Sequence, residues 1–431
     1  MKILAWSVLL IVLALIASGR FRIDMVALGG LLVLGLAGIA PPDIIFSGFG
    51  HPALATIIAV FLISGGIIES GLLRGLGQAL ARRIHSLRGQ ILSVAASGSL
   101  LSAFMNNVGA IGMMLPTAVR MARRSGSSPG SFGLPLAMAS ILGGAITLIG
   151  SAPNIIIASY MFSSTGQSFR MFDYAPHGLA MLFTAFIVWI VCRSCGIDPG
   201  AAEPDQTNPA EKHTTNSADP GIDDFMLDEK ISFSPLANRQ RQVTLVILLA
   251  AVLAVSFGLL HPAFGFGGAA MLMILSGVLK PAAAYKNVDL KIVFFLGAML
   301  GIGQTLEYTG ALELLSAFLT GFTAGFSPFW LILLLIVVSS ALSNAINNSA
   351  AAVFMAPLSV AIAADSSLGT AAALMAVAAG ANLTLLIPTH QASLMVLSQA
   401  PFSFTSFMRF GLVISLLCFL AAAAVIAVFW Q

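Results

Sequence analysis

Two short polar stretches hold the residues of this chain best suited to bind small ions. One reads Ser102-Ala-Phe-Met-Asn106-Asn107-Val108 and runs on to Pro116; the other reads Ser343-Asn-Ala-Ile-Asn347-Asn348-Ser349 and runs on to Pro357. The differences 343 − 102, 347 − 106, 348 − 107 and 357 − 116 all equal 241, so one polar pattern occurs twice in register. Asparagine and serine offer both donors and acceptors, and so can hold a cation by oxygen or an anion by N–H and O–H without burying a charge. Two further polar breaks, Gly150-Ser151-Ala152-Pro153-Asn154 and Pro388-Thr389-His390-Gln391, interrupt apolar runs. A helix broken there presents carbonyl oxygens at the end of one half and unpaired N–H groups at the start of the next. No mid-span Asp, Glu, Lys or Arg accompanies them, because Glu69 and Glu307 fall at span ends. No carboxylate pair, metal cluster or nucleophile–base set stands out, which argues against an enzyme.

The elements that must position these residues are read from an apolar chain. Of 431 residues, 58% are hydrophobic and only 9% charged, against roughly 25% charged in soluble domains. Repeated runs of about 17–20 apolar residues joined by short polar loops predict an all-α polytopic membrane protein embedded in the lipid bilayer. The first half, 1–195, holds spans at 3–18, 25–40 and 53–69, then an amphipathic stretch at 72–84. A re-entrant hairpin at about 89–120 follows, with the Asn106-Asn107 pair at its tip, then a broken helix at about 134–163 and a final span. The second half, 243–431, repeats the plan, with an amphipathic stretch at 311–322, a hairpin at about 328–364 and a broken helix at about 371–397. Between them, 196–242 is polar and aperiodic, and nine of the 17 acids lie from Asp198 to Glu229, which predicts a disordered linker. Segment one has the basic start and apolar core of a signal peptide, but removing it would break the match of three spans to three. Cys192 and Cys195 have a Cys-x-x-Cys spacing with no second ligand pair, and are read as capping an apolar helix rather than holding a metal.

Each half thus has five transmembrane helices, one of them broken, and one re-entrant hairpin. Five crossings is odd, so the two repeats have inverted topology. With the N-terminus outside, 18 of the 20 basic residues fall on the cytoplasmic side and only Lys2 and Arg170 remain outside. That places both termini outside and the linker in the cytoplasm, and the hairpins enter from opposite faces. The basic residues flank apolar runs, so they carry no sign of nucleic-acid binding.

The doubled tip motif followed by Leu-Pro or Ala-Pro, and the Gly-Ser-x-Pro-Asn break, resemble the divalent-anion:sodium symporter family of the ion-transporter superfamily. The resemblance covers nearly the whole chain. It implies sodium-coupled transport of a small anion, such as sulfate or a dicarboxylate, by alternating access across the cell (inner) membrane. Na⁺ is the coupling ion, no organic cofactor is needed, and a homodimer is the family expectation. The family's Ser-Asn-Thr tip falls here on Asn106-Asn107-Val108 and Asn347-Asn348-Ser349. Carried over by position, Na⁺ ligands are Ser102, Asn107 and Gly150 in the first half and Ser343, Asn348 and Thr389 in the second. Substrate contacts are Asn106, Asn107, Val108, Ser151, Asn347, Asn348, Ser349, His390 and Gln391. The chain departs from the family by Asn for Ser at both tips, Val108 for Thr in the first and Ser349 for Thr in the second; Val108 removes a carboxylate-binding hydroxyl.

Other readings stay open. A Na⁺/H⁺ antiporter or metalloid-oxyanion exporter fits the same scaffold, though an antiporter usually places a carboxylate or His inside the membrane. A non-transporting membrane scaffold would use the Asn pairs for helix packing. Ser102 and Ser343 could instead bond the carbonyl one turn back. Asn154 could serve the break rather than the site, and His390 is either a ligand or a packed, hydrogen-bonded residue.

Overall fold

The computed structural model describes residues 2–18, 20–72, 84, 86–167, 169–194, 235–311, 325–364, 366–388 and 390–431. Every element among them is helical. The amphipathic stretches expected at 72–84 and 311–322, most of the expected linker, Thr389 and Cys195 lie largely or wholly outside the described residues.

In the first half, α1 (Lys2–Ala17) and α2 (Ile23–Leu36) lead to α3 (Pro42–Ile45), a 3-10 turn over Phe46–Gly50, and α4 (Pro52–Ser70). Pro52 sits at the start of α4, where its missing N–H costs nothing, and Gly71 ends the helix with φ +60°. Then come α5 (Leu87–Ser102) and α6 (Asn107–Arg124), the limbs of the first hairpin, and α7 (Pro129–Gly144) and α8 (Ala152–Thr165), the two pieces of the broken helix. The half ends with α9 (Ala175–Ser194). In the second half, α10 (Pro235–Ser256), α11 (Pro262–Leu275), α12 (Pro281–Asn287) and α13 (Leu290–Tyr308) precede the hairpin α14 (Pro328–Ala345) and α15 (Asn348–Ala364). The broken helix is α16 (Thr370–Asn382) and α17 (Gln391–Gln399), and α18 (Phe404–Phe429) closes the chain.

Three features differ from the sequence reading. Helix α10 starts at Pro235, inside the stretch read as linker; its Leu, Ala, Arg and Gln residues are good helix formers, and polarity alone was mistaken for lack of structure. Short helices α3 and α12 fill connections read as plain loops. Finally, among the described residues six helices are long and apolar enough to cross a membrane, α14 among them, while α2 and α11 have only 14 residues. At 1.5 Å per residue those two reach about 21 Å, short of a hydrocarbon core of about 30 Å.

Packing between the halves is reciprocal. Helix α2 packs on α13 and α11 on α4; α1 packs on α13 and α10 on α4. The 3-10 turn beside α3 lies on α13, and α12 lies on α4. The hairpins and broken helices form a second cluster with the same property. There α5 packs on α7 as α14 packs on α16, and α15 packs on α8 as α6 packs on α17. Contact of one element with another, matched by the same contact with the halves exchanged, is what a two-fold relation produces. Small residues allow the close approach: a Cβ on Gly143 would lie 2.5 Å from Ser99 Cα, and one on Gly380 would lie 2.7 Å from Ser339 Cβ.

Candidate functional site

The helix ends generate the site. Asn106 caps α6 by accepting from Gly109 N at 2.7 Å, and Asn347 caps the start of α15 by accepting from Ser349 N at 2.8 Å. Helix α8 starts after Ser151, and α17 starts after His390, whose Nδ1 accepts from Ala392 N at 3.2 Å. The four helices α6, α8, α15 and α17 therefore begin at Asn107, Ala152, Asn348 and Gln391, and all four of these residues line one cavity of about 170 Å³. The cavity is far smaller than the roughly 300–1,000 Å³ of sites for drug-sized ligands.

Of the predicted residues, Asn106, Asn107, Val108, Gly150, Ser151, Ser343, Asn347, Asn348, Ser349, His390 and Gln391 all line this cavity. Ser102 does not: it is fully buried behind the first tip, donating from Oγ to Asn107 Oδ1 at 2.6 Å. Ser343 donates to Ala381 O at 2.7 Å. Both hydroxyls thus reach out of their own helices, to the tip in one half and to the break in the other. Asn154 is also off the cavity. Its Nδ2 donates to Thr147 O at 2.8 Å and Gly144 O at 3.3 Å, replacing the backbone partners lost at the break.

The first tip and first break together form an oxygen cradle. A Cβ on Gly144 would lie 2.5 Å from Asn107 Oδ1 and 3.0 Å from Gly150 O. One on Gly150 would lie 2.6 Å from Gly144 O and 2.8 Å from Ser102 O. Backbone carbonyls and an amide oxygen converge where only glycine leaves room, with the Ser102 hydroxyl beside them. That donor set suits a hard monovalent cation.

The second tip presents nitrogen. With Nδ1 of His390 accepting from the backbone, the neutral ring carries its proton on Nε2. Nε2 lies 3.5 Å from Asn348 Nδ2, whose own oxygen accepts from Ser349 N at 2.9 Å. Two donors therefore face the cavity side by side, an arrangement that suits an anion oxygen. The second break is stapled from the hairpin: Ser340 Oγ and Asn344 Nδ2 donate to Leu383 O at 2.7 and 2.9 Å, and Asn344 Oδ1 accepts from Leu386 N at 3.1 Å.

The sequence reading missed Thr384, a buried residue of the second break that lines the cavity and whose Oγ1 has no partner. Its place four residues before Pro388 was the available signal. The apolar wall was missed as well. It comes from Ile23, Ile57, Val60, Phe61, Ile292 and Phe295 on α2, α4 and α13, which carry no signal beyond ordinary core residues.

A family model described as citrate transporter (CitMHS) matches residues 13–381. An uncharacterized transporter of Escherichia coli, YfbS, is 30% identical over 192 residues, covering 43% of this chain and 31% of the relative. A probable sodium/sulfate cotransporter of Chlamydomonas reinhardtii is 28% identical over 154 residues, covering 34% of this chain and 17% of the relative. The chain thus spans a third or less of the length of these two relatives. Among solved structures, the Alcanivorax borkumensis YdaH transporter superposes with a TM-score of 0.63 at 16% identity, covering 90% of this chain and 87% of that one. This is a likeness of fold.

Proposed function

The chain belongs to the citrate transporter family, and we propose that it is a sodium-coupled symporter of a small divalent oxyanion, sulfate above all. The observation that carries this reading is the convergence of four helix starts, at Asn107, Ala152, Asn348 and Gln391, on one small cavity. Each N-terminus acts as about +0.5 elementary charge, so four supply about +2, enough to balance a divalent anion without a lysine or arginine. The lining includes no Asp, Glu, Lys or Arg. A hydrogen-bearing anion would need an acceptor for its proton, and a carboxylate is the strongest such acceptor; a fully ionised anion needs only donors. The narrow cavity and the methyls of Val108 favour a tetrahedral anion over a longer dicarboxylate or citrate.

Na⁺ travels as co-substrate. In the first half it would be held by Asn107, Ser102 and the carbonyls of Gly144 and Gly150; in the second, by Ser343 and the carbonyls of the second break, with the Asn348 amide nitrogen left to the anion. Its positive charge next to the anion lowers the cost of taking both out of water. Inverted topology follows from the odd crossing count and the charge asymmetry, and the reciprocal packing supports it. In that threading Ile23 and Ile292, at the cytoplasmic ends of α2 and α13, line the cavity, which supports an inward-facing reading of this conformation. Alternating access would carry the cluster of hairpins and broken helices past the wall of α2, α4 and α13.

The test is uptake of radiolabelled sulfate into proteoliposomes under an imposed Na⁺ gradient. Uptake should collapse when choline replaces Na⁺, and when Asn107→Ala is combined with Asn348→Ala. Uptake indifferent to both changes would sink the reading.

A further inference from the structure

The two breaks are joined by one hydrogen bond whose chemistry the internal repeat does not copy. Asn382, the last residue of α16, donates from Nδ2 to Asn154 Oδ1 at 2.8 Å, and both side chains are buried. The symmetric contact cannot be made. Matched by the last residue before each break, Asn382 of α16 falls on Gly144 of α7, which has no side chain. Counting from the residue before each resumed helix, Asn154 lies three after Ser151, and Ser393 lies three after His390. Ser393 is fully buried and its hydroxyl has no partner, as expected where the facing residue is a glycine. The bond is therefore one-sided.

Its ends lie on groups that matter. Asn154 Nδ2 holds Thr147 O at 2.8 Å and, more loosely, Gly144 O at 3.3 Å; the latter is an oxygen of the first-half cradle. Asn382 lies between two carbonyls fixed by the second hairpin, Ala381 O by Ser343 at 2.7 Å and Leu383 O by Ser340 at 2.7 Å and Asn344 at 2.9 Å. Hydrogen bonds thus lead from the first cradle through Asn154 to Asn382, and the backbone on either side of Asn382 is bonded in turn to the tip end of α14.

We propose that the Asn154–Asn382 bond couples the two halves, so that filling the first-half cation cradle preorganises the second tip and break. This rests on the sodium-symport reading above. A cation drawing on Gly144 O competes with the longer of the two Asn154 bonds. The carboxamide then settles toward Thr147 O, and Asn382, held to its oxygen, moves with it. Asn154 and Asn382 are positioning residues and touch neither ion.

The experiment measures sulfate uptake in proteoliposomes as a function of Na⁺ concentration. Wild type is expected to show a Hill coefficient above one. Asn382→Ala, and Asn382→Asp, which keeps the size and loses the donor, should bring it to about one and raise half-saturating Na⁺ by about fivefold or more, within the usual range of coupling between sites. The anion KM at saturating Na⁺ should stay near wild type. Ser393→Ala, on the uncoupled side, should leave the Hill coefficient where it was. Asn382→Asp also serves if the alanine variant does not fold. The coupling is overturned by a wild-type Hill coefficient near one, by folded Asn382 variants with unchanged Na⁺ dependence, or by Ser393→Ala lowering the coefficient equally. Wild-type uptake that ignores Na⁺ altogether would instead bring down the symport reading, and the coupling with it.

Discussion

The two hairpin tips share one motif in sequence and differ in chemistry in space. At the first, Asn107 turns its oxygen to Ser102 and toward the carbonyls of Gly144 and Gly150. At the second, Asn348 turns its amide nitrogen toward His390 Nε2, and Ser343 bonds the break instead of the tip. One tip is an oxygen cradle and the other a pair of donors. A duplicated element need not keep duplicate roles: once two copies face one cavity, each is free to specialise for a ligand of opposite charge.

Five substitutions probe that difference, from the largest expected effect to the smallest. His390→Asn keeps a side-chain cap on α17 but withdraws the Nε2–H from the cavity. Losing a hydrogen bond to a charged ligand costs about 1.5–3 kcal/mol, so the sulfate KM should rise roughly ten- to hundredfold. Half-saturating Na⁺ should move far less, and equal shifts in both would blur the division between tips. Gly144→Ala places a methyl where the cradle oxygens converge. Half-saturating Na⁺ should rise by about tenfold, equivalent to about 1.4 kcal/mol. A Na⁺ titration that matches wild type would show that the cradle holds no ion.

Ser102→Ala removes the hydroxyl behind Asn107. At about 0.5–1.5 kcal/mol for a hydrogen bond, apparent Na⁺ affinity should fall roughly two- to tenfold. The paired change Ser343→Ala, which frees Ala381 O instead, should act mainly on the second break, and the contrast of the two titrations sharpens the comparison. Val108→Thr is nearly isosteric and adds to the first tip the hydroxyl that Ser349 gives the second. Competition uptake of sulfate against succinate should shift toward the dicarboxylate by roughly threefold, under 1 kcal/mol. No shift would assign substrate choice to residues other than Val108.

Much of the fold was legible in the sequence because a membrane imposes few solutions. Apolar runs, the offset of 241 and the proline-marked breaks located the hairpins and broken helices, since each reflects a local need to satisfy backbone groups in lipid. What the sequence misplaced were edges. Polar Pro235–Gln242 was read as linker although it extends α10, because helix propensity and polarity are separate properties. Ten crossings were expected; among the described helices α2 and α11 have only 14 residues, and α3 and α12 occupy connections beside them. Among site residues, the tips and breaks stood out because polar groups are conspicuous in an apolar chain. Ile23, Ile57 and Phe295 could not stand out, because a wall residue and a core residue have the same chemistry.

By itself the sequence determined the helical class, the repeat, the polar tips and breaks, and hence the groups available to bind ions. All of these follow from local chemistry and from the cost of polarity in lipid. The tertiary structure alone decided which atoms face the cavity: that Asn107 gives oxygen while Asn348 gives nitrogen, that Ser102 stands behind its tip, and that Asn154 reaches across to Asn382. Side-chain direction depends on what packs against each residue from elements far away in the chain, and no spacing within a single motif encodes it.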